Sequence, residues 1–236
     1  MTEGIVQSKL PVTLLGAGRV GIAAVRRALD LAPCLVAADG GANMAVRAGL
    51  LPEAVIGDLD SLAPAVAAAL PPGRLWRIAE QDSTDFEKCL TRIEAPVILG
   101  LGFYGARIDH ALAVWNALAR HPDRRCVILG GADIAFLAPP RIALALAPGT
   151  RLSLFPLGPV AGESAGLEWP VKGIGFAPDG RIGTSNRATG PVTLEFDAAR
   201  MLVIVPRGAL TSVLAGLRSA SGWSGAPPAP APVRGG

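Results

Sequence analysis

From about residue 11 to residue 137, short apolar runs alternate with stretches in which apolar residues recur at helical spacing, and few folds accept that alternation. The runs are PVTLLGAG, CLVAAD, AVIGD, RLWRIA, PVILGLG and RCVILGG. Between them stand GIAAVRRALDLA, ANMAVRAGLL, LAPAVAAAL, TDFEKCLTRIE and IDHALAVWNALARH. Several runs are continuously apolar and β-rich, as in strands buried on both faces. Strand and helix in alternation predict an α/β fold, a Rossmann-like parallel sheet with helices on both faces. In the last helix, Leu112, Trp115 and Leu118 share one face, which is expected to be buried.

After about Pro139 the pattern changes. RIALALA, RLSLFPLG, GLEWPV, GRIGTSN, PVTLEFD and MLVIVP are short and separated by Pro, Gly and Asp turns. No long helical periodicity follows, so a small antiparallel β-sandwich is expected. The final stretch, ending SGWSGAPPAPAPVRGG, has the composition of a disordered tail. The expected organisation is a nucleotide-binding catalytic domain over 1–137, a β-sandwich over 138–215 and a disordered tail over 216–236.

Composition excludes several classes. The net charge is +3, but the 19 Arg and three Lys are scattered, and aromatics make up 5% of the chain. Neither a basic stripe nor a stacking platform for nucleic acid is present. No apolar run approaches the roughly twenty residues needed to span a bilayer, and the N-terminus lacks a signal-peptide pattern. Cys34, Cys89 and Cys126 lie far apart in apolar stretches, and only two His occur. Buried reduced thiols in a cytoplasmic protein are expected, without membrane partners or a His-rich zinc site.

Four acidic motifs end four successive runs. They are Asp39 in CLVAADGGAN, Asp58 and Asp60 in AVIGDLDS, Asp82 and Asp85 in EQDSTDFEKCL, and Asp109 in GFYGARIDH. On parallel strands these carboxylates gather along one rim, outside the carboxyl ends, where open α/β sheets bind ligands. Hard oxygen ligands around a crevice suit Mg²⁺ and the phosphates it carries.

Each motif has a plainer reading. Asp60 or Ser61 could cap the helix LAPAVAAAL, and Asp109 could cap the helix after it. Thr84 and Glu87 read as a capping box, with Asp85 favoured by the helix dipole. Trp169 could be ordinary core, with Ser185 and Asn186 in a turn. Gly16, Gly18 and Gly21 in LLGAGRVG form G-x-G-x-x-G, with Asp39 where a ribose-binding acid would sit, the pattern of an NAD-binding oxidoreductase. Gly40 and Gly41 permit close backbone approach before the next helix, whose N-terminus suits phosphate.

The ordered set ADGGAN, GDLDS, QDSTDFEKCL and GARIDH, followed by SAGLEWPV and GTSN, resembles the signature segments of thiamine pyrophosphokinases across roughly residues 12–206. The resemblance implies transfer of the β,γ-diphosphoryl group of ATP to the hydroxyl of thiamine, giving thiamine diphosphate and AMP, with Mg²⁺ as cofactor. It implies that Asp58, Asp60 and Asp85 hold the metal, that Asp85, Gln81, Arg107 and Asp109 serve catalysis, and that Asp39, Gly40, Gly41, Asn43, Ser61 and Thr84 line the nucleotide side. Trp169, Ser185 and Asn186 are implied to bind thiamine, in a site built across a homodimer interface. Two other readings stay open: a pyrophosphokinase acting on another hydroxyalkyl heterocycle such as a pterin, and a nucleotide-binding regulator without turnover.

Overall fold

The structure, a computed structural model, describes residues 4–105 and 107–223. In chain order the first half comprises β1 (Val6–Gln7), β2 (Val12–Leu15), α1 (Ile22–Leu29), β3 (Cys34–Ala38), α2 (Gly41–Arg47), β4 (Ala54–Gly57), α3 (Pro64–Ala69) and β5 (Leu75–Arg77). Then come α4 (Asp85–Arg92), β6 (Ile93–Glu94), β7 (Ile98–Leu101), α5 (Ile108–Arg120), β8 (Cys126–Leu129) and β9 (Asp133–Leu137). The second half holds β10 (Arg141–Leu144), β11 (Arg151–Pro156), β12 (Val160–Leu167), β13 (Gly175–Phe176), β14 (Gly183–Phe196), β15 (Met201–Pro206) and α6 (Leu210–Ser219).

Six strands of the first half pair in parallel in the order β5-β4-β3-β2-β7-β8. Side chains of β2 alternate between two cores. Leu15 joins Val25 and Ala28 of α1 and Ala45 of α2. Val12 and Leu14 join Phe86 and Leu90 of α4 with Val114 and Leu118 of α5. Helices therefore cover both faces, and fully burying each such Leu contributes about 1.5–3 kcal/mol. On α5 the buried residues are Val114, Ala117 and Leu118. Leu112, expected in the core, is 63% exposed. The apolar face of this helix begins one turn later than its spacing implied.

The sheet does not stop where the pattern changes. β9 pairs antiparallel with β8 and β15, and β15 carries the ladder on to β11 and β14. The mixed sheet thus runs through the 137/138 boundary without a hydrogen-bonding break. β14 is one strand where the sequence suggested two: Gly190 and Pro191 interrupt the composition but not the backbone. Its first half pairs β11, while its second half is flanked by β10 and β12.

The end of the chain departs from expectation. Residues 210–219 form α6, with Val213, Leu214 and Leu217 buried and Gly216 packed against the Ala143 carbonyl. Gly216 to Ser219, expected in the disordered tail, are helical. Trp223 donates its indole N–H to the Ala138 carbonyl at 3.0 Å, and Arg125 donates to the Ala220 carbonyl at 2.6 Å. The helix was missed because its apolar residues sit in a Gly/Ser-rich context that reads as tail. The rest of that expectation, 224–236, lies outside the described residues. Among the described residues no helix is long and apolar enough to cross a membrane. Cys89 and Cys126 are free and buried and Cys34 is half-buried; burial pushes all three thiols up.

Candidate active site

β2 and β7 are neighbours in the sheet, yet the chain leaves them toward opposite edges. Such a switch point opens a crevice at the carboxyl ends of the strands. Here the crevice is a cavity of about 530 Å³, lined by the loops that follow β2, β3, β4, β5 and β7.

Its walls explain the glycines. Gly16 and Gly18 donate backbone N–H bonds to Leu101 and Gly102 carbonyls, and a Cβ on Gly18 would lie 2.4 Å from the Gly102 oxygen. Gly21, by contrast, has open space around it. Close approach of two loops therefore accounts for Gly16 and Gly18, and the dinucleotide reading loses its support. Phe86 and Phe103 pack edge-on across the cavity, centroids 4.8 Å apart.

Of the residues expected at the site, Asp39, Gly40, Asp58, Ser61, Gln81, Thr84, Asp85 and Arg107 line this cavity. Asp39 is buried, with a left-handed backbone (φ 41°). Strain at a non-glycine residue persists where its surroundings hold it, often at functional sites. Asp39 Oδ2 accepts from the Ser61 N–H at 3.2 Å. Its Oδ1 is buried without a hydrogen-bond partner among the described residues. One oxygen each from Asp39, Asp58 and Asp60 lie within 4.8 Å of one another. An orphaned buried carboxylate oxygen beside two further carboxylates offers hard oxygen donors of the kind a divalent cation takes.

The expected metal set was Asp58, Asp60 and Asp85. The three oxygens that converge instead include Asp39, while Asp85 stands beside a side chain that sequence reading passed over. Lys88, 2% exposed and lining the cavity, places its ammonium 3.4 Å from Asp85 Oδ1 and 3.8 Å from Asp58 Oδ2. The signal for it was present: Lys88 stands at i+3 from Asp85 in a stretch whose neighbours Phe86, Cys89 and Leu90 face the core. His110, in the first turn of α5, also lines the cavity and was not anticipated.

Environment separates the carboxylates. The Asp60 backbone N–H, then Gln81 and Lys88, hold Asp58 below the ordinary carboxylate range against some desolvation. Burial pushes Asp85 up; Lys88 opposes the shift and Asp39 and Asp58 add to it.

The plain capping readings divide. α3 takes Ala63 as its N-cap with Pro64 following, so neither Asp60 nor Ser61 caps it. Asp58 Oδ1 accepts instead from the Asp60 N–H at 3.3 Å, and Ser61 donates to Asp60 Oδ1 at 2.9 Å. The N-cap of α5 is Arg107, not Asp109. Thr84 does cap α4, accepting from the Glu87 N–H. The reciprocal half of that box is replaced: Glu87 Oε1 lies 2.8 Å from both His121 Nε2 and Arg120 Nη1.

Three residues serve the site from behind. Asn43 donates to the Ser61 carbonyl and accepts from the Ala63 N–H, bracing the GDLDS loop against α2. Gly41 lets α2 pack on the β2 backbone, a Cβ there falling 2.1 Å from the Leu15 oxygen. Asp109 forms a two-point ion pair with Arg107 at 2.6 and 3.2 Å, and this pair holds Asp109 down to about 2. Both partners are exposed, so the pair can open for a ligand.

Trp169, Ser185 and Asn186 lie elsewhere; none lines the cavity. Trp169 is 53% exposed. Asn186 is buried and bonds the Trp169 backbone twice, accepting from its N–H and donating to its carbonyl. Asn186 therefore braces Trp169. Ser185 has φ 61° and donates its N–H to Ser153 Oγ.

Comparison with known proteins agrees with this geometry. Residues 25–129 match the family model described as "Thiamin pyrophosphokinase, catalytic domain". Among curated proteins, thiamine pyrophosphokinase 3 of Oryza sativa subsp. japonica is 29% identical, the match covering 68% of this chain and 73% of the relative. Thiamine pyrophosphokinase 1 of the same plant is 29% identical over 66% and 72%. The fold resembles that of a thiamin pyrophosphokinase from Candida albicans, with TM-score 0.71 and 17% identity over 87% of this chain and 95% of that one. It also resembles one from Geobacillus thermodenitrificans, with TM-score 0.70 and 22% identity over 84% and 97%. The family match runs from α1 to the end of β8 and so takes in every strand end that carries an acidic motif; over that stretch the chain is similar to the catalytic domain of thiamin pyrophosphokinases.

Proposed function

We propose that this chain is a diphosphotransferase that moves the β,γ-diphosphoryl group of ATP, as one unit, to the hydroxyethyl oxygen of thiamine, releasing AMP. The observation that carries this reading is the convergence of strand-end carboxylates on one switch-point cavity, within the stretch that matches the thiamin pyrophosphokinase catalytic domain. Asp39, Asp58 and Asp60, with Asp85 beside them, are the residues that would hold Mg²⁺, which when bound would neutralise and orient the phosphates. Gln81 donates to Asp58 Oδ2 at 3.4 Å and fixes that carboxylate. Gly40, Ser61 and Thr84 shape the nucleotide wall. Arg107 supplies positive charge toward the transferred group, and Asp109 orients Arg107 or aligns the attacking hydroxyl. Such a division suits a reaction that needs little covalent help and much positioning and charge neutralisation.

The acceptor side rests on the second half of the chain, which we read as a β-sandwich joined to a Rossmann-like layer. Trp169 offers the thiamine cation an aromatic face and Ser185 a hydrogen-bonding hydroxyl. Their separation from the cavity supports a homodimer in which Trp169 of one protomer reaches the carboxylates of the other. The pterin reading is not favoured, since the curated relatives are named for thiamine.

Product analysis tests the reaction. Pure protein with ATP, Mg²⁺ and thiamine should yield thiamine diphosphate and AMP in equal amounts; ADP, or no thiamine diphosphate, would overturn it. Trp169→Ala should raise KM for thiamine by roughly tenfold, the size of a partly desolvated cation–π contact, with KM for ATP unchanged. An unchanged KM for thiamine removes Trp169 from the acceptor site.

A further inference from the structure

Lys88 is a full positive charge enclosed by protein, and the contacts around it are specific. Its ammonium lies between Asp85 Oδ1 at 3.4 Å and Asp58 Oδ2 at 3.8 Å, the place from which an ion would bridge those two carboxylates. A buried charge is costly unless paired, so the two carboxylates hold Lys88 as firmly as it holds them. One oxygen each from Asp39, Asp58 and Asp60 converge within 4.8 Å of one another beside this pair, and it is this group that would take a metal. This accounts for Asp85 standing apart from that group although its motif suggests a ligand. The number and charge of carboxylates in a site set its affinity for a bare divalent cation. A fixed cation against the same carboxylates lowers that affinity by direct repulsion.

We propose that Lys88 is a positioning residue that acts as an internal counter-ion: it sets Asp58 and Asp85 in place and keeps the cluster from loading a bare divalent cation, so that the metal enters with the nucleotide. The proposal rests on the phosphoryl-transfer reading of the cavity. Incoming triphosphate oxygens complete a coordination shell that the protein alone supplies only in part. They also bring negative charge to offset Lys88.

Mn²⁺ binding to the nucleotide-free protein, followed by electron paramagnetic resonance, tests this without turnover. The wild type should bind bare Mn²⁺ at least roughly tenfold more weakly than Mn²⁺ with a non-hydrolysable ATP analogue. Lys88→Met should bind bare Mn²⁺ roughly tenfold tighter than wild type. Lys88→Arg, which keeps the charge, should not. Where the Met variant fails to fold, Lys88→Gln, which keeps donors for both carboxylates without the charge, carries the same comparison. A folded neutral variant with wild-type affinity for bare Mn²⁺ overturns the proposal, as does tight bare-ion binding by the wild type. If the protein forms no AMP and thiamine diphosphate, the reaction assigned above fails, while the Mn²⁺ comparison still decides the role of Lys88.

Discussion

Asp85→Asn should lower kcat at least about a hundredfold, the usual consequence of removing one preorganised electrostatic group, and leave the protein as stable as before or more so. The two expectations come from one environment. Burial raises the Asp85 carboxyl, and Asp39 and Asp58 raise it further against the opposition of Lys88. A carboxyl whose folded pKa is raised disfavours the fold once pH exceeds its ordinary value, and that cost is present at neutral pH. Neutral Asn removes the cost along with the function, while Lys88 keeps Asp58 as a partner. Thermal melts at neutral pH should show a midpoint unchanged or a few degrees higher. Loss of activity together with a large fall in the midpoint would mean that Asp85 is structural.

Gly41→Ala should act in the opposite way, through the fold. The added Cβ would meet the Leu15 carbonyl oxygen at 2.1 Å and its carbon at 2.9 Å, both main-chain atoms at the buried end of β2. A rotamer change cannot relieve a clash with backbone, so α2 must move, and Asp39 and Gly40 move with it. Overpacking of this kind costs about 3 kcal/mol, a fall in melting midpoint of roughly 6–12 °C for a chain this size. Gly21→Ala is the control: nothing stands within 4 Å of that Cβ, and the change at an N-cap costs up to about 1 kcal/mol, well below the Gly41 figure. Calorimetric melts of the two variants check both numbers. Equal midpoints would show that α2 is free to shift.

The parallel layer could be read from the chain because each of its strands is a continuous apolar run closed by a turn, and each intervening helix keeps its period. The rim of carboxylates followed from strand ends alone. What sequence spacing could not convey was which oxygens converge. Asp39 reaches the cluster through a left-handed backbone, and the missing side chain of Gly57 makes room for it. Lys88 was hidden by its type, since a lysine on a helix is ordinarily solvated, and only the fold turns it inward between two acids. Leu112 looked like core but lies on α5 before the helix meets the sheet. On the acceptor side, the sequence could not show that the Asn186 amide bonds the Trp169 backbone twice and so braces it. The final helix escaped notice because it has no side-chain cap and lies in a Gly/Ser-rich context, although Leu210, Val213, Leu214 and Leu217 recur at helical spacing.

The central claim is that the metal–nucleotide complex sits in the switch-point cavity against Asp39, Asp58 and Asp60. Crystals grown with Mn²⁺ and a non-hydrolysable ATP analogue allow the metal to be located by its anomalous scattering. The account predicts a peak within coordination distance of at least two of those three carboxylates, with the analogue's phosphates running toward Arg107. A peak elsewhere, or an analogue bound outside this cavity, would contradict it.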